Sequence, residues 1–248
     1  MSVRTNAVLR RWATGLFAAM VASAAQAAPV VYFGENQTPG GALSGTPVLA
    51  RAAFLSNLTG VVSEGFESFN LGATAPLALS FTGSGSTTLT ATLSGAGTIT
   101  NNPAVGRFNT TTGGSRWWDV NGAFDIAFGT AISAFGFYGT DIGDFDGQVT
   151  IALTDINNVV TNLTVGNLIN GANGSLLFFG FVDAGNSYTR LRFGNTSPGG
   201  TDFFGFDDMV IGDQRQIVNA TPEPATLALL GFGLAGLAFS GRRKPVPA

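Results

Sequence analysis

The sequence predicts an all-β domain, a β-sandwich or barrel, on three observations. Short segments in which apolar residues alternate or run together recur along the middle of the chain. Gly, Asn, Asp and Ser separate these segments, at the spacing of about eight to twelve residues that is typical of sandwiches. Between the two ends of the chain, no segment keeps an apolar period of about 3.6 residues over three turns. The expected elements are therefore short strands joined by turns.

The strands are predicted one by one from their apolar pattern, because alternation places one face of a strand on a core. The predicted strands are 78–81, 88–93, 123–128, 132–138, 148–153, 159–165, 176–182, 188–193 and 203–211. Asp146-Gly147, between two of them, is a pair that tight hairpin turns prefer. Residues 33–60 are rich in Gly, Pro and Asn, and we expect loop or a loosely packed edge there.

The composition excludes several kinds of chemistry. The chain of 248 residues has no His and no Cys, which rules out Ser-His-Asp and Cys-His catalysis, His-ligated metals, disulfides, and zinc or iron–sulfur sites with thiolate ligands. Hydrophobic residues make up 45% and charged residues 11%, the balance of a packed globular body. With 12 Lys and Arg, several of them near the chain ends, we expect no binding to nucleic acid.

Residues 1–27 have the three parts of a secretory signal peptide. Basic residues, Arg10 and Arg11 among them, precede an apolar run over 12–22, and Ala25-Gln26-Ala27 satisfies the small-residue cleavage rule. The run is too short for a membrane-spanning anchor, which needs roughly 20 apolar residues. The neighbours of the two arginines fit a twin-arginine signal poorly, so we expect the general export route.

Residues 221–248 combine a helix start, an apolar stretch and a basic end. The tripeptide Pro222-Glu223-Pro224 precedes an almost unbroken apolar run over 225–239. Pro224 sets the start of a helix because proline cannot continue a helix backwards. At about 1.5 Å per residue, the apolar run nearly spans a bilayer. Basic side chains then hold the far end on the cytoplasmic side; they are Arg242, Arg243 and Lys244.

This order of parts resembles the PEP-CTERM sorting signal, in which a Pro-Glu-Pro tripeptide, one hydrophobic helix and a short basic tail close an exported protein. In that family a membrane protease, the exosortase, cuts at the tripeptide and releases or transfers the mature protein. The resemblance implies an exosortase-type partner, a transient anchor in the inner membrane, and delivery to the cell surface or extracellular matrix in association with exopolysaccharide. An uncleaved tail anchor of the same topology is the alternative.

Residues 28–220, between the two ends, have the size of a single domain. They contain six basic and fourteen acidic residues, a net charge of −8, which suits divalent cations better than polyanions. The segments 135–144 and 203–212 resemble the β-sandwich ectodomains common among PEP-CTERM proteins, which look like carbohydrate-binding jelly rolls. This second resemblance implies a jelly-roll-like β-sandwich.

Glu67, Asp207 and Asp208 are the candidate calcium ligands. Both Asp residues lie in the last predicted strand, where alternation points one of them inward, and a buried carboxylate needs a cation or several donors. Glu67 with Asp208 or Asp207 resembles the pairing of an early-strand acid and a last-strand acid around a structural calcium in jelly-roll carbohydrate-binding modules. Calcium takes about six to eight oxygens, so backbone carbonyls must supply the rest. The alternative is that these acids cap turns or face solvent.

A second acidic segment, with Asp141, Asp144, Asp146 and Gly147, is similar to a calcium-binding loop. Aligned as an EF-hand, however, it places apolar residues at the first and twelfth ligand positions, where the motif needs oxygen ligands. We expect a polar hairpin loop here, and a looser cation site is the alternative.

Trp117 and Trp118 are the candidate sugar-binding residues. Adjacent residues on a strand point to opposite faces, so one ring can lie in the core while the other is exposed. An exposed Trp beside Arg116 and Asp119 can stack on a sugar ring while the charged groups bond its hydroxyls. The alternative is that both rings are packing residues.

The sequence thus predicts an exported, non-enzymatic, jelly-roll-like β-sandwich at the cell surface or in the extracellular matrix. One alternative is a calcium-stabilised glycan-binding module with a definable sugar ligand. Another is a secreted glycoside hydrolase, which needs two carboxylates and no His. Nothing in the spacing of Glu64 or Glu67 to the Asp residues selects such a pair.

Overall fold

Eleven antiparallel strands form the framework wherever the computed structural model describes the chain, over residues 28–103, 106–197 and 202–218. The strands are β1 (Val30–Asn36), β2 (Ser63–Glu64), β3 (Leu77–Thr82), β4 (Thr88–Thr100), β5 (Trp117–Ile132), β6 (Ala134–Thr140), β7 (Val149–Asp155), β8 (Val160–Thr164), β9 (Leu176–Val182), β10 (Tyr188–Asn195) and β11 (Phe204–Gly212). Helix α1 covers Thr46–Leu55, and short 3-10 turns cover Ser84–Ser86 and Gln214–Gln216.

The strands belong to one sheet that curls over on itself. The order along the sheet is β1-β9-β6-β11-β5-β10-β7-β8, with β4 beside β5, β3 beside β4, and β2 beside β11. The long strand β5 joins the two halves, because its first part pairs with β11 and its later part pairs with β10. One half therefore contains β1, β9, β6 and β11, and the other contains β10, β7 and β8.

Glycines in β4 allow the sheet to bend where it passes from one half to the other. The pairing of β4 with β5 shifts register between Gly95 and Gly97. Gly95 has a φ of 122°, and a Cβ there would lie 2.7 Å from the carbonyl oxygen of Ala123. Only glycine fits both this conformation and this close approach.

Phenylalanine rings from the two halves meet in the main hydrophobic core. Phe193 on β10 stacks on Phe124 of β5, with ring centroids 4.3 Å apart, and meets Phe137 on β6 edge-on at 5.6 Å. Strands β10 and β6 share no ladder, so this contact shows that the halves face each other. Burial alternates along β3 and β7, which have one face on the core, whereas every residue of β6, β9 and β11 is buried.

Helix α1 covers the outer face of β1, β9 and β6, so the prediction of loop or loose edge for residues 33–60 is wrong over Thr46–Leu55. Phe54 is fully buried in a second, smaller cluster, with its ring 5.5 Å from that of Phe178. Gly34 admits the helix, since a Cβ there would lie 2.3 Å from the carbonyl oxygen of Thr46. Pro47 and Phe54 are the buried residues of the helix, too few to give the sequence a helical period.

The predicted all-β fold is confirmed, and each predicted strand overlaps an observed one. β9 has the predicted bounds, while β4 and β5 extend well beyond theirs. The extensions lie at the bend, where Gly residues and a register shift break the alternation that predicted the strands.

The predicted hairpin at Asp146-Gly147 is wrong. β6 pairs with β9 and β11, whereas β7 pairs with β8 and β10, so the segment between β6 and β7 crosses from one half of the sheet to the other. Asp146 does have a φ of 59°. The dipeptide therefore indicated a left-handed residue correctly, but not the pairing of the flanking strands.

The strand directions give the domain two different ends. Val30 pairs with Val182, and Gly212 pairs with Ala134, so β1 begins and β11 finishes at the same end, which we call the proximal end. The connections that follow β1, β4, β6, β8 and β10 lie at the opposite, distal end.

Among the described residues, no helix combines the length and the apolar character needed to cross a bilayer. The predicted signal peptide, 1–27, and the predicted membrane helix, 225–239, lie outside the described residues.

Candidate functional site

A bulge in β11 decides where Asp207 and Asp208 point. The pairing with β6 shifts register between Asp207 and Val210, and Asp208 has a φ of 48°, in the left-handed region that Asp tolerates better than most residues. Both carboxylates consequently accept hydrogen bonds from the same two hydroxyls, those of Thr110 and Thr111. The predicted alternation, with one of the two acids pointing inward, is wrong because the bulge resets it.

Asp207 is fully buried and surrounded by donors. Its Oδ2 accepts from the backbone N–H of Thr110 at 2.7 Å and from the Thr110 hydroxyl at 2.9 Å. Its Oδ1 accepts from the backbone N–H of Asp208 at 2.8 Å. Burial raises the pKa of Asp207 to about 7, while the N–H of Thr110 acts against this shift. The surrounding protein groups therefore provide the donors that a buried carboxylate requires.

Helix α1 brings a positive charge to Asp208. Burial raises the pKa of Asp208, and the guanidinium of Arg51 opposes this rise. Arg51 lies over the ring of Tyr138, 5.6 Å from its centroid, and donates to the Ser63 hydroxyl at 2.7 Å. Burial also raises the pKa of Tyr138 to about 12. The phenol therefore stays protonated near neutral pH. Arg51 is the counter-charge of the Asp208 carboxylate.

Glu67 fixes the segment before β5. Its Oε1 accepts from the backbone N–H groups of Ser115 and Arg116 at 2.7 and 2.8 Å. In return, the Arg116 guanidinium donates to the carbonyl oxygens of Glu67 and Phe69. Glu67 is close enough to Asp208 to contribute to the raised pKa of that carboxyl. The structure thus brings the three predicted ligands to one side of β11, which we call the β11 acidic cluster: Glu67, Asp207 and Asp208.

The arrangement of this cluster does not by itself make a metal site. Over the ranges that the structure describes, no three His, Cys, Asp or Glu side chains are placed so that they could hold a metal ion. A fourth acid, Glu64, lies opposite Met209 in the β2–β11 pair, and burial raises its pKa. Calcium binding here remains a prediction.

Trp117 and Trp118 are both buried, with 2% and 0% of their surface exposed. The prediction of one exposed ring is wrong, because both faces of β5 are covered at this point. Trp118 lies so close to Gly97 that a Cβ there would be 2.4 Å from the indole ring. Neither ring presents a face on which a sugar can stack, so the Trp pair is part of the packing.

The sequence analysis missed several residues that surround the cluster: Arg51, Thr110, Thr111 and Tyr138. Arg51 lies on the helix that the apolar pattern did not reveal. The two Thr residues stand in a chain rich in Thr, and nothing in their spacing marks them as partners of acids far along the sequence.

The clearest functional signal is at the other end of the sequence. The family model of the PEP-CTERM protein-sorting motif matches residues 220–244, a range that includes the predicted tripeptide, apolar stretch and basic residues. These residues lie outside the described part of the chain. A comparison with curated proteins gives no match.

The motif match confirms the sorting signal predicted from Pro222-Glu223-Pro224, the apolar stretch and the basic residues that follow. Such a motif indicates an exported protein that is anchored at the membrane before an exosortase-type membrane enzyme processes it. The chain therefore carries a PEP-CTERM protein-sorting motif on an all-β domain.

Proposed function

We propose that the protein is a non-enzymatic component of the cell surface or extracellular matrix that associates with exopolysaccharide after exosortase processing. The observation that carries this proposal is the sorting motif at 220–244. Processing at the tripeptide leaves the β domain outside the cell, with an acidic surface and no His or Cys for the common catalytic mechanisms.

The route of the chain supports this function. β11 finishes at the proximal end, and the N–H of Val218 donates to the Asn57 carbonyl oxygen there at 2.9 Å. The chain therefore runs toward the sorting motif from the proximal end. The distal loops then lie away from the attachment point, where extracellular polymers can reach them.

Processing is tested with the full chain in a bacterium that contains an exosortase. We expect the wild-type protein to lose its C-terminal segment and to reach the cell surface or the medium, while Glu223→Ala stays in the membrane fraction at full length. Glu35→Ala, an equal change outside the motif, is the matched control. Immunoblots of membrane, surface and medium fractions measure both. Equal processing of wild type and Glu223→Ala would contradict exosortase recognition.

Association with exopolysaccharide is a separate step with its own measurement. We expect the processed protein to sediment with the polysaccharide of its host and to become soluble in a strain that makes none. Protein that fractionates identically in the two strains would overturn the association and leave processing intact.

A second candidate function is a calcium-stabilised glycan-binding module of the jelly-roll type. The β11 acidic cluster favours it, because three acids lie on one side of a bulged strand. We expect calcium to raise the melting temperature of the full chain by several degrees relative to chelator, and Asp208→Asn to abolish that difference. Asp125→Asn, on β5, is the control. Identical melting with calcium and with chelator counts against this function.

A further inference from the structure

Two adjoining cavities open among the loops of the distal end. The larger, about 540 Å³, lies between the segments that follow β1, β4 and β8. The smaller, about 400 Å³, lies between the segments that follow β6 and β10. Arg107 and Asn173 line both cavities, so the two are adjacent, and we call the pair the distal groove.

The smaller cavity has an excess of negative charge. Asp141, Asp144 and Asp202 line it, together with Arg107. The charge of Arg107 is already engaged, since its Nε lies 2.8 Å from Oδ1 of Asp119. Arg107 also acts on Asp141, whose pKa it lowers, but one guanidinium shared with Asp119 leaves the three acids of the cavity with an excess of negative charge.

Asp202 is a buried carboxylate of this cavity whose hydrogen bonding is incomplete. It is 4% exposed, its Oδ1 makes no hydrogen bond, and its Oδ2 accepts from the N–H of Gly143 at 3.4 Å. Burial first, and then the charge of Asp144, raise the pKa of Asp202 to about 7. The pKa of Asp141 is likewise raised, to about 6, chiefly by burial. A buried carboxylate with one unpaired oxygen indicates that a ligand can provide the missing donor.

A bare metal ion fits this set of acids poorly. No three acidic side chains of the described residues are placed to hold a metal ion, and the cavity is far larger than such an ion. Acids distributed around an open cavity instead suit a larger cation that carries its own hydrogen-bond donors, such as an alkylammonium group.

The larger cavity combines apolar faces with polar side chains, a combination that suits a sugar ring. Pro39, Pro103 and Phe108 give it apolar faces, and the side-chain amides of Gln37 and Asn173 give it donors and acceptors. Sites for small organic ligands typically combine a mainly apolar lining with a few polar groups of this kind.

We propose that the distal groove binds an amine-bearing polysaccharide, with an ammonium group among Asp141, Asp144 and Asp202 and an adjacent sugar ring in the larger cavity. The proposal rests on the proposed association with exopolysaccharide and names the chemical class of the ligand. Positively charged polymers also complement a domain whose net charge is −8.

The probes are glucosamine oligomers with free amines and N-acetylated oligomers of the same length. Binding is measured by calorimetry on the full chain in a nonionic detergent, near neutral pH. We expect the amine form to bind at least about tenfold more tightly than the acetylated form, because acetylation removes the charge that the acids recognise. A basic peptide of equal charge tests the other possible source of ammonium groups, and tighter binding of that peptide would overturn the proposal.

Two variants connect the binding to the acids. Asp202→Asn and Asp144→Asn each lose the charge with little change of shape, and we expect each to weaken binding of the amine form about tenfold. Asp146→Asn is the matched control, since Asp146 is an exposed acid of the same loop that does not line the cavity. Equal losses of affinity in all three variants would show that binding depends only on the net charge of the protein, and would overturn the site.

Carbodiimide coupling offers an independent map of the contact, because it joins an amine to a carboxylate directly. Residues 28–220 contain no lysine, so few amines of the protein compete. We expect coupling at Asp144 or Asp141 with the amine oligomer. Coupling spread evenly over the surface acids would overturn the site.

The outcomes separate this inference from the proposed function. If both oligomers bind equally, association with polysaccharide stands and recognition of the amine is wrong. If neither binds while the processed protein still sediments with its host polysaccharide, the groove assignment fails and the proposed function remains. If sedimentation fails as well, both are wrong.

Discussion

Asp207 and Asp202 are two buried carboxylates with opposite surroundings. Both have a pKa raised to about 7, chiefly by burial. Asp207 accepts from backbone and side-chain groups of Thr110 and from the N–H of Asp208. Asp202 has a long hydrogen bond from the N–H of Gly143, a contribution from the backbone N–H of Phe203, and an Oδ1 with no hydrogen bond. Burial and a raised pKa alone therefore do not separate a structural acid from a ligand-binding one; the donors around each acid do.

The largest expected effect comes from removing the well-bonded acid. Asp207→Ala leaves the N–H groups of Thr110 and Asp208 buried without acceptors, which is expected to lower the free energy of unfolding by about 3 kcal/mol. Urea unfolding followed by circular dichroism measures this. A loss below about 1 kcal/mol would mean that the network around Asp207 contributes little.

The pH dependence of stability sharpens the comparison because both acids act in the same direction. Each has a folded pKa of about 7 against an unfolded value of about 3.9, so the folded state binds more protons between these values. Stability is therefore expected to fall as pH rises from about 4 to about 7. Melting curves across this range test it, and Asp202→Asn should flatten the slope. A melting temperature that rises toward neutral pH would contradict the assignment.

A smaller loss is expected when one donor to Asp207 is removed. Thr110→Val keeps the shape of the side chain but deletes the hydroxyl that lies 2.9 Å from Asp207 Oδ2. The free energy of unfolding should fall by about 1 kcal/mol, measured by the same urea titration. Thr150→Val, on β7, is the control and should change stability less.

The smallest expected effect has the opposite sign. Asp202→Asn removes a charge that the fold satisfies only in part, so near neutral pH stability should stay level or rise by up to about 1 kcal/mol. Thermal unfolding of the full chain measures it. If Asp202→Asn destabilises the fold as strongly as Asp207→Ala, the contrast between the two acids is wrong.

Local patterns predicted the strands well, because alternation and turn residues lie within a few positions of one another. They did not predict the bend in β4 and β5, helix α1, or the crossing between β6 and β7. The helix exposes most of its surface and buries only Pro47 and Phe54. The crossing depends on which strands pair, and a two-residue turn signal at Asp146-Gly147 contains no information on that.

The candidate sites show the same division. The sorting signal that begins at Pro222-Glu223-Pro224 could be predicted because all its parts are contiguous in sequence. The family comparison confirms this signal. The sequence correctly grouped the three acids of the β11 acidic cluster. The spacing of residues could not predict the bulge at Asp208 or the donors at Thr110. The Trp pair was misjudged because burial of both faces of β5 depends on distant strands. The role proposed for Asp202 could not be predicted, because it depends on loops that come together only at the distal end of the fold.

The direction of β11 has a mechanical consequence. For a domain tethered through its C-terminal connection and loaded at the distal loops, tension runs along this strand from Phe204 toward Gly212. β11 is held between β6 and β5, and antiparallel ladder bonds lie perpendicular to the strand. Such a load shears many bonds at once instead of peeling them apart one after another. The topology thus suits a domain that bears load along this strand.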